Sequence, residues 1–255
     1  MSNCKPLLTP LPSKFPTHAN LTLPFPQPEF FRKLVGSLQF ITSTRPDIAF
    51  AINKLCQHMH NPQLLHFQLL KRVLRYLKGT ITHTLFLPKT ELILFAYSDS
   101  AWAGDQLDRK STKGYCLYLG DALLTWSVKK QTTVARSSTE AEYRSMAATT
   151  TDIIWTRRLC EDFLLPQPTT KLFCDNIFAM SIAFNPIFHA RTKHIEIDHH
   201  FIRECIQANY IAIHHISTLD QVADIFTKCL PSSHLLELRN KLLVVPPISL
   251  RDGDK

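Results

Sequence analysis

The chain has 255 residues, 45% hydrophobic and 20% charged, the composition of a globular protein with core material for one large domain or two modest ones. Only six glycines are present, which disfavours a fold built on glycine-rich phosphate loops, and no apolar run is long enough to span a bilayer. The net charge of +8 is uneven: residues 1–90 hold eleven Lys/Arg against two Asp/Glu, and the remainder eighteen against nineteen. A basic block beside a neutral, carboxylate-bearing block suits a nucleic-acid partner, while a merely solvated basic face accounts for the same charge.

Seven cysteines are scattered, odd in number and never spaced C-x-x-C. This argues against a zinc ribbon or a disulfide framework and for reduced thiols in an intracellular protein, cytoplasmic or nuclear. The N-terminus lacks a basic-then-apolar signal pattern, so secretion is not expected.

Residues 1–28 carry seven of the sixteen prolines and read as a poorly structured leader. Residues 29–79 read as helices. Phe30, Phe31, Leu34, Leu38 and Ile41 form one apolar stripe, and Pro46 can open a second helix through Ile48, Ile52, Leu55 and Met59. Pro62 can open a third, with Leu65, Leu69, Val73 or Leu74, and Leu77 inward and Lys71, Arg72, Arg75 and Lys78 largely on the other side. That basic face is a candidate phosphate-contacting surface.

From residue 91 the pattern changes to strands. Leu92–Asp99 reads as a buried strand ending on a carboxylate, and Asp99 there is either a turn cap or a metal ligand. Strands near 114–119 and 123–128 flank a Gly120-Asp121 hairpin turn. Ser137 or Ser138 can cap a helix running to about Asp162, with Glu140 and Glu142 near its start. A strand over 171–174 ends at Asp175. Helices near 176–184 and 195–207, a strand over 210–216, and helices near 219–229 and 232–243 follow. The order predicts an α/β fold with a mixed sheet covered by helices.

Asp99, Glu142 (with Glu140), Asp175 and Asp224 each sit on a separate element, at a strand end or in a helix. Carboxylates gathered at one sheet edge repel unless a cation neutralises them, and hard oxygen donors suit Mg²⁺ or Mn²⁺, with two ions able to serve phosphodiester hydrolysis. His199-His200 and His214-His215 lack the Cys or third spaced ligand of a zinc site. Trp102, Trp126 and Trp155 are expected in the core. Lys129, Lys130 and Arg136 lie between the third strand and the long helix, where they can reach phosphates or simply confer solubility.

Several long motifs occur in order: Tyr97-Ser-Asp99-Ser-Ala-Trp-Ala-Gly, Arg109-Lys-Ser-Thr-Lys-Gly-Tyr, Trp126-Ser-Val-Lys-Lys-Gln131, Ala135-Arg-Ser-Ser-Thr-Glu-Ala-Glu-Tyr143, Cys174-Asp-Asn, His189-Ala-Arg-Thr-Lys-His194-Ile-Glu and Ala223-Asp-Ile-Phe-Thr-Lys228. Together they resemble the ribonuclease H domain of copia-type LTR-retrotransposon Pol polyproteins, over residues 91–243. Leu34-Val-Gly-Ser-Leu-Gln-Phe, Thr44-Arg-Pro-Asp-Ile-Ala and Leu70-Lys-Arg-Val-Leu-Arg-Tyr-Leu-Lys-Gly resemble the reverse-transcriptase thumb and connection just upstream, over residues 29–90, leaving 244–255 as a tail.

The resemblance implies a ribonuclease H-like five-stranded mixed sheet flanked by helices, preceded by a small helical remnant. It also implies Mg²⁺-dependent cleavage of the RNA strand of RNA/DNA hybrids, with no small-molecule cofactor and no membrane. The metal-site acids map to Asp99, Glu142 (Glu140 being the close alternative), Asp175 and Asp224; Asp198 has no matching role. The family's second Asp in the Tyr97 motif is Ala101 here. A Tyr-x-Asp-Asp polymerase motif is absent, so the chain reads as the C-terminal part of a longer polyprotein, unable to copy RNA by that mechanism.

Overall fold

The computed structural model describes residues 4–16, 19–105, 107–185 and 195–247. The His189–His194 stretch and the tail beyond residue 247 lie outside the described residues. In chain order the elements are α1 (Pro28–Ile41), α2 (Ala49–Cys56), α3 (Leu64–Gly79), β1 (Thr84–Leu85), β2 (Leu94–Ala101), β3 (Thr112–Leu119), β4 (Ala122–Lys130), α4 (Ser138–Asp162), β5 (Thr170–Cys174), α5 (Ile177–Phe184), α6 (Glu196–Gln207), β6 (Ile211–His215), α7 (Ser232–Lys241) and β7 (Val244–Val245). They fall into two compact units, Met1–Phe86 with Lys228–Lys255, and Leu87–Thr227. No described helix is long and apolar enough to cross a membrane.

In the first unit, α1–α3 bury Phe31, Val35, Leu38, Ile52, Leu55, Leu70 and Val73. The α1 stripe is rotated from the sequence reading: Val35 is inside and Phe30 is 46% exposed. The segment from Lys228 onward groups with these helices. Leu238, Leu242 and Val244 are buried, and β7 pairs antiparallel with β1. Arg45, Asp47, Tyr76 and Thr80 form a buried polar knot. Arg45 grips Asp47 with two nitrogens at 2.9 and 2.7 Å and reaches the Thr80 carbonyl at 3.0 Å, while the Tyr76 hydroxyl donates to Asp47 at 2.6 Å. This is the structural content of the Thr44-Arg-Pro-Asp motif: Pro46 opens a short 3₁₀ turn in which Arg45 and Asp47 form a bidentate pair.

α3 opens on a reciprocal cap in which the Gln63 N–H donates to His66 Nδ1 at 2.9 Å. Burial, followed by His58 just beyond α2 and Lys54 on it, lowers the His66 pKa from 6.5 to about 4. The depressed folded value means that the unfolded chain binds the extra proton first as pH falls. Stability is therefore complete above about pH 6.5 and declines toward pH 4, by on the order of 2 kcal/mol once solvent screening is discounted. Denaturant midpoints measured across that window should slope for the wild type and flatten for His66→Gln, whose side-chain oxygen can still accept the Gln63 N–H.

In the second unit the sheet order is β4-β3-β2-β5-β6, with β4, β3 and β2 antiparallel and β2, β5 and β6 parallel. The parallel set brings the C-terminal ends of β2, β5 and β6 to one edge. Residues 94, 96, 98 and 100 of β2 face α4, and the core between them includes Leu94, Ala96, Leu117, Met146, Leu172 and Ile213. Ser145 is fully buried, and its hydroxyl donates to the Asp99 carbonyl at 2.8 Å; a larger side chain would hold α4 off the strand.

Two glycines are fixed by packing. Gly120 leads the β3–β4 hairpin at φ +58°, with the Glu91 carbonyl where a Cβ would stand. Gly114 pairs with Asp99, and a Cβ there would lie 2.6 Å from Phe226 Cβ and 2.7 Å from Thr227 Cγ2. Gly114→Ala should therefore displace the 3₁₀ turn Val222–Phe226 and cost about 1–3 kcal/mol. Thermal melting of the variant checks this; an unchanged midpoint would mean that the turn moves aside freely.

The α/β class and the five-stranded mixed sheet flanked by helices are as expected, and the predicted elements recur with small shifts. The strand expected over 92–99 runs from Leu94 to Ala101, because β3 continues to pair with it through Thr112, so Asp99 lies inside the strand. The helix expected near 219–229 is the single 3₁₀ turn Val222–Phe226.

Candidate active site

Glu142, Cys174 and Asp175 converge at the C-terminal edge of the parallel strands, with one ligand atom from each lying within 4.8 Å of the others. α4 carries Glu142 there. Ser137 caps the helix by accepting from the Glu140 N–H, and Glu142 Oε1 accepts from the Ser100 N–H of β2 at 3.1 Å. Asp175 follows the last residue of β5 and accepts from the Thr218 hydroxyl at 3.0 Å. Burial pushes the Cys174 thiol well up, as do the negative charges of Glu142, Asp175 and Asp99. The thiol therefore stays protonated, and the charged donors are carboxylates, a hard oxygen set that fits Mg²⁺ or Mn²⁺.

Asp99 and Asp224 stand outside that grouping. The alternation of β2 turns Ser98 and Ser100 toward α4 and Asp99 to the opposite face, where its Oδ2 accepts from the Thr227 hydroxyl. Its charge still reaches Cys174. Asp224 is buried in the 3₁₀ turn, and its carbonyl accepts from the Thr227 N–H at 3.1 Å. Glu140 has other partners: its Oε2 accepts from the Arg136 N–H at 2.8 Å and its Oε1 pairs with Arg144. Of the two glutamates, Glu142 is the one beside Asp175.

Sequence reasoning missed four positioning groups: Thr227, Thr218, Ser145 and Gln221. Gln221 is fully buried, and its Nε2 donates to the Ser98 carbonyl at 3.0 Å, tying the segment before Asp224 to β2. Thr227 lies within the Ala223–Lys228 motif, which was the available signal for it.

The basic residues expected to hold nucleic acid differ in their surroundings. On α3, Arg72 donates to the Thr9 hydroxyl at 2.7 Å, Arg75 to the Lys5 carbonyl at 2.7 Å and Lys78 to the Cys4 carbonyl at 2.8 Å, while Lys71 lies over the Phe67 ring. The leader, expected to be poorly structured, thus runs along this face, with its Leu7 N–H donating to the Arg75 carbonyl. Lys130 is held by Asp105 at 2.6 Å and Asp108 at 2.8 Å. Lys129 is exposed beside Lys113, Arg144 and half-buried Asp198 in a pocket of about 320 Å³, and Arg136 is exposed.

His199 is buried near the Tyr143 ring, while His214 and His215 are exposed, and Cys174 pairs with His215 in the β5–β6 ladder. Trp102 and Trp155, expected in the core, are 50% and 62% exposed, and Trp126 is half-buried. α4 turns Trp155 away from the sheet, and Trp102 donates its indole N–H to the Ala135 carbonyl at 2.9 Å.

No family model matches the sequence. The chain is 45% identical over 254 residues to the retrovirus-related Pol polyprotein from transposon RE2 of Arabidopsis thaliana, covering 97% of this chain and 17% of the polyprotein. It is 34% identical over 244 residues to the Pol polyprotein from transposon TNT 1-94 of Nicotiana tabacum, covering 91% of this chain and 18% of that one. Among solved structures, the ribonuclease H1 of Halobacterium salinarum aligns with 56% of this chain and 97% of its own, at 16% identity and a TM-score of 0.38. The chain thus spans under a fifth of the length of these curated relatives. With 45% identity sustained along almost all of its residues, and the motifs above in order, it is similar to a segment of the retrovirus-related Pol polyproteins of copia-type transposons.

Proposed function

We propose that residues 87–227 act as a ribonuclease H, hydrolysing the RNA strand of RNA/DNA hybrids with two Mg²⁺ or Mn²⁺ ions. The observation that carries this reading is the approach of Glu142 to Asp175 beside Cys174. Two carboxylates from different elements, one on α4 and one after β5, gather at the edge where the parallel strands end.

When bound, the metal would neutralise the site and activate a water for attack on the phosphodiester. Glu142 and Asp175 would hold it, with Asp99 and Asp224 contributing from β2 and the 3₁₀ turn. Thr218 and the Ser100 N–H orient Asp175 and Glu142 through the hydrogen bonds described above, and Thr227 orients Asp99. His215, in register with Cys174, would deliver a proton to the departing 3′ oxygen, leaving 3′-hydroxyl and 5′-phosphate ends. Exposed Lys129 and Arg136 would meet backbone phosphates, and the hybrid would be recognised by its A-like shape and 2′-hydroxyls. Seven free thiols suit a reducing compartment, cytoplasmic or nuclear.

The test is incubation of the full chain with an end-labelled RNA/DNA hybrid, in Mg²⁺ and in EDTA, beside the matching DNA duplex. Cleavage of the RNA strand alone, dependent on Mg²⁺ and leaving 5′-phosphates, is the expected result. The second reading, a nucleic-acid-binding remnant that has lost its chemistry, is favoured by Ala101 in place of the family's second Asp. Hybrid binding without cleavage would establish that reading and end the first.

A further inference from the structure

The first unit contains a groove of about 380 Å³ between the end of α3, the leader and α7, remote in sequence from the carboxylates. Arg239 lines it. One guanidinium nitrogen of Arg239 donates to the Tyr76 hydroxyl at 3.4 Å, while its Nε is buried and finds no acceptor among the described residues. Asp47 is already committed elsewhere, because both its oxygens accept from Arg45 and Tyr76. His83 lines the same groove, and its Nδ1 is a second buried atom without a hydrogen-bond partner among the described residues. Burial, then Arg239 and Arg45, lower the His83 pKa and favour the neutral ring, which can donate from one nitrogen.

The groove has a built wall. A Cβ on Gly79 would stand 2.9 Å from Pro6 Cβ, so the leader lies directly against the end of α3. Ser232 and Ser233, which open α7, line the groove as well and bring two hydroxyls to it.

We propose that this groove binds a phosphate group, taken by the guanidinium of Arg239, with His83 and the serine hydroxyls supplying further donors. A half-buried guanidinium with a shielded Nε that lacks an acceptor is costly, and a compact oxyanion supplies the bidentate acceptor that its planar fork matches. The phosphate is either free or carried on a nucleic-acid end. The site is independent of the proposed hydrolysis, since none of its residues belongs to the carboxylate edge.

Thermal unfolding of the full chain, in inorganic phosphate against chloride at equal ionic strength, tests the site. The wild type should show a saturable rise of about 3–6 °C at a tenfold excess over the dissociation constant. Arg239→Gln should abolish it. Leu236→Trp, which fills the half-exposed rim and leaves Arg239 intact, should abolish it too and guards against a folding defect in the first variant. A larger rise with a short 5′-phosphorylated oligonucleotide than with its 5′-hydroxyl form assigns the nucleic-acid source; equal rises assign free phosphate. A wild-type response no greater in phosphate than in chloride, or one that either variant retains, overturns the proposal.

Discussion

Glu142→Gln and Asp175→Asn are each expected to lower Mg²⁺-dependent hybrid cleavage on the order of 10³-fold while leaving the fold intact. Each change keeps the volume and one acceptor oxygen. The amide in Glu142→Gln can still accept the Ser100 N–H, and the amide in Asp175→Asn can still accept the Thr218 hydroxyl. What is lost is negative charge at the point where two elements present it together. Glu140→Gln is the matched control. The Glu140 oxygens serve the Arg136 N–H and Arg144, so the change should weaken the start of α4 by about 1 kcal/mol and leave the cleavage rate within a few-fold. Single-turnover rates across a Mg²⁺ titration, with melting curves for all three variants, separate the two roles. Loss of cleavage in Glu140→Gln with survival in Glu142→Gln would reverse the assignment.

Asp47→Ala is expected to cost about 3–5 kcal/mol of stability in the first unit. Asp47 is 2% exposed and accepts two hydrogen bonds from Arg45 and one from Tyr76. Its removal leaves a buried guanidinium with no carboxylate and takes from a buried phenol its acceptor. Tyr76→Phe, by contrast, should cost about 1 kcal/mol, because Asp47 keeps both bonds from Arg45. Urea denaturation followed by circular dichroism measures the difference. Equal losses in the two variants would show that the knot contributes through packing and not through charge compensation.

Much of this was legible in the order of the amino acids alone. The strands and helices of residues 91–215 follow from alternation, from Ser137 as a cap and from the Gly120 turn, all of which are local signals. What failed was non-local. Whether Asp99 ends its strand depends on how far β3 continues to pair with it. Residues 219–229 are apolar enough for a helix, but their packing against Gly114 and the Gln221 bond to β2 hold them as a tight 3₁₀ turn. The leader has a disordered composition, yet it lies against α3, where its carbonyls meet basic side chains. The spacing of the residues after Glu142 favours it as the metal-site glutamate, with Glu140 the close alternative two residues away. The available clue was Arg144, four residues after Glu140, which marks Glu140 as one half of a helical ion pair.

The strand pairing also sets an order of events during folding. β3 and β4 are joined by a two-residue turn and can zip together within microseconds, whereas β2 must wait for β5, more than seventy residues later, before its parallel side is satisfied. Asp99 and Asp224 lie still further apart along the chain, and the hydroxyl that steadies Asp99 comes from Thr227. A refolding chain therefore acquires its hairpin early and its carboxylate edge late, which makes that edge the last part of its unit to be completed.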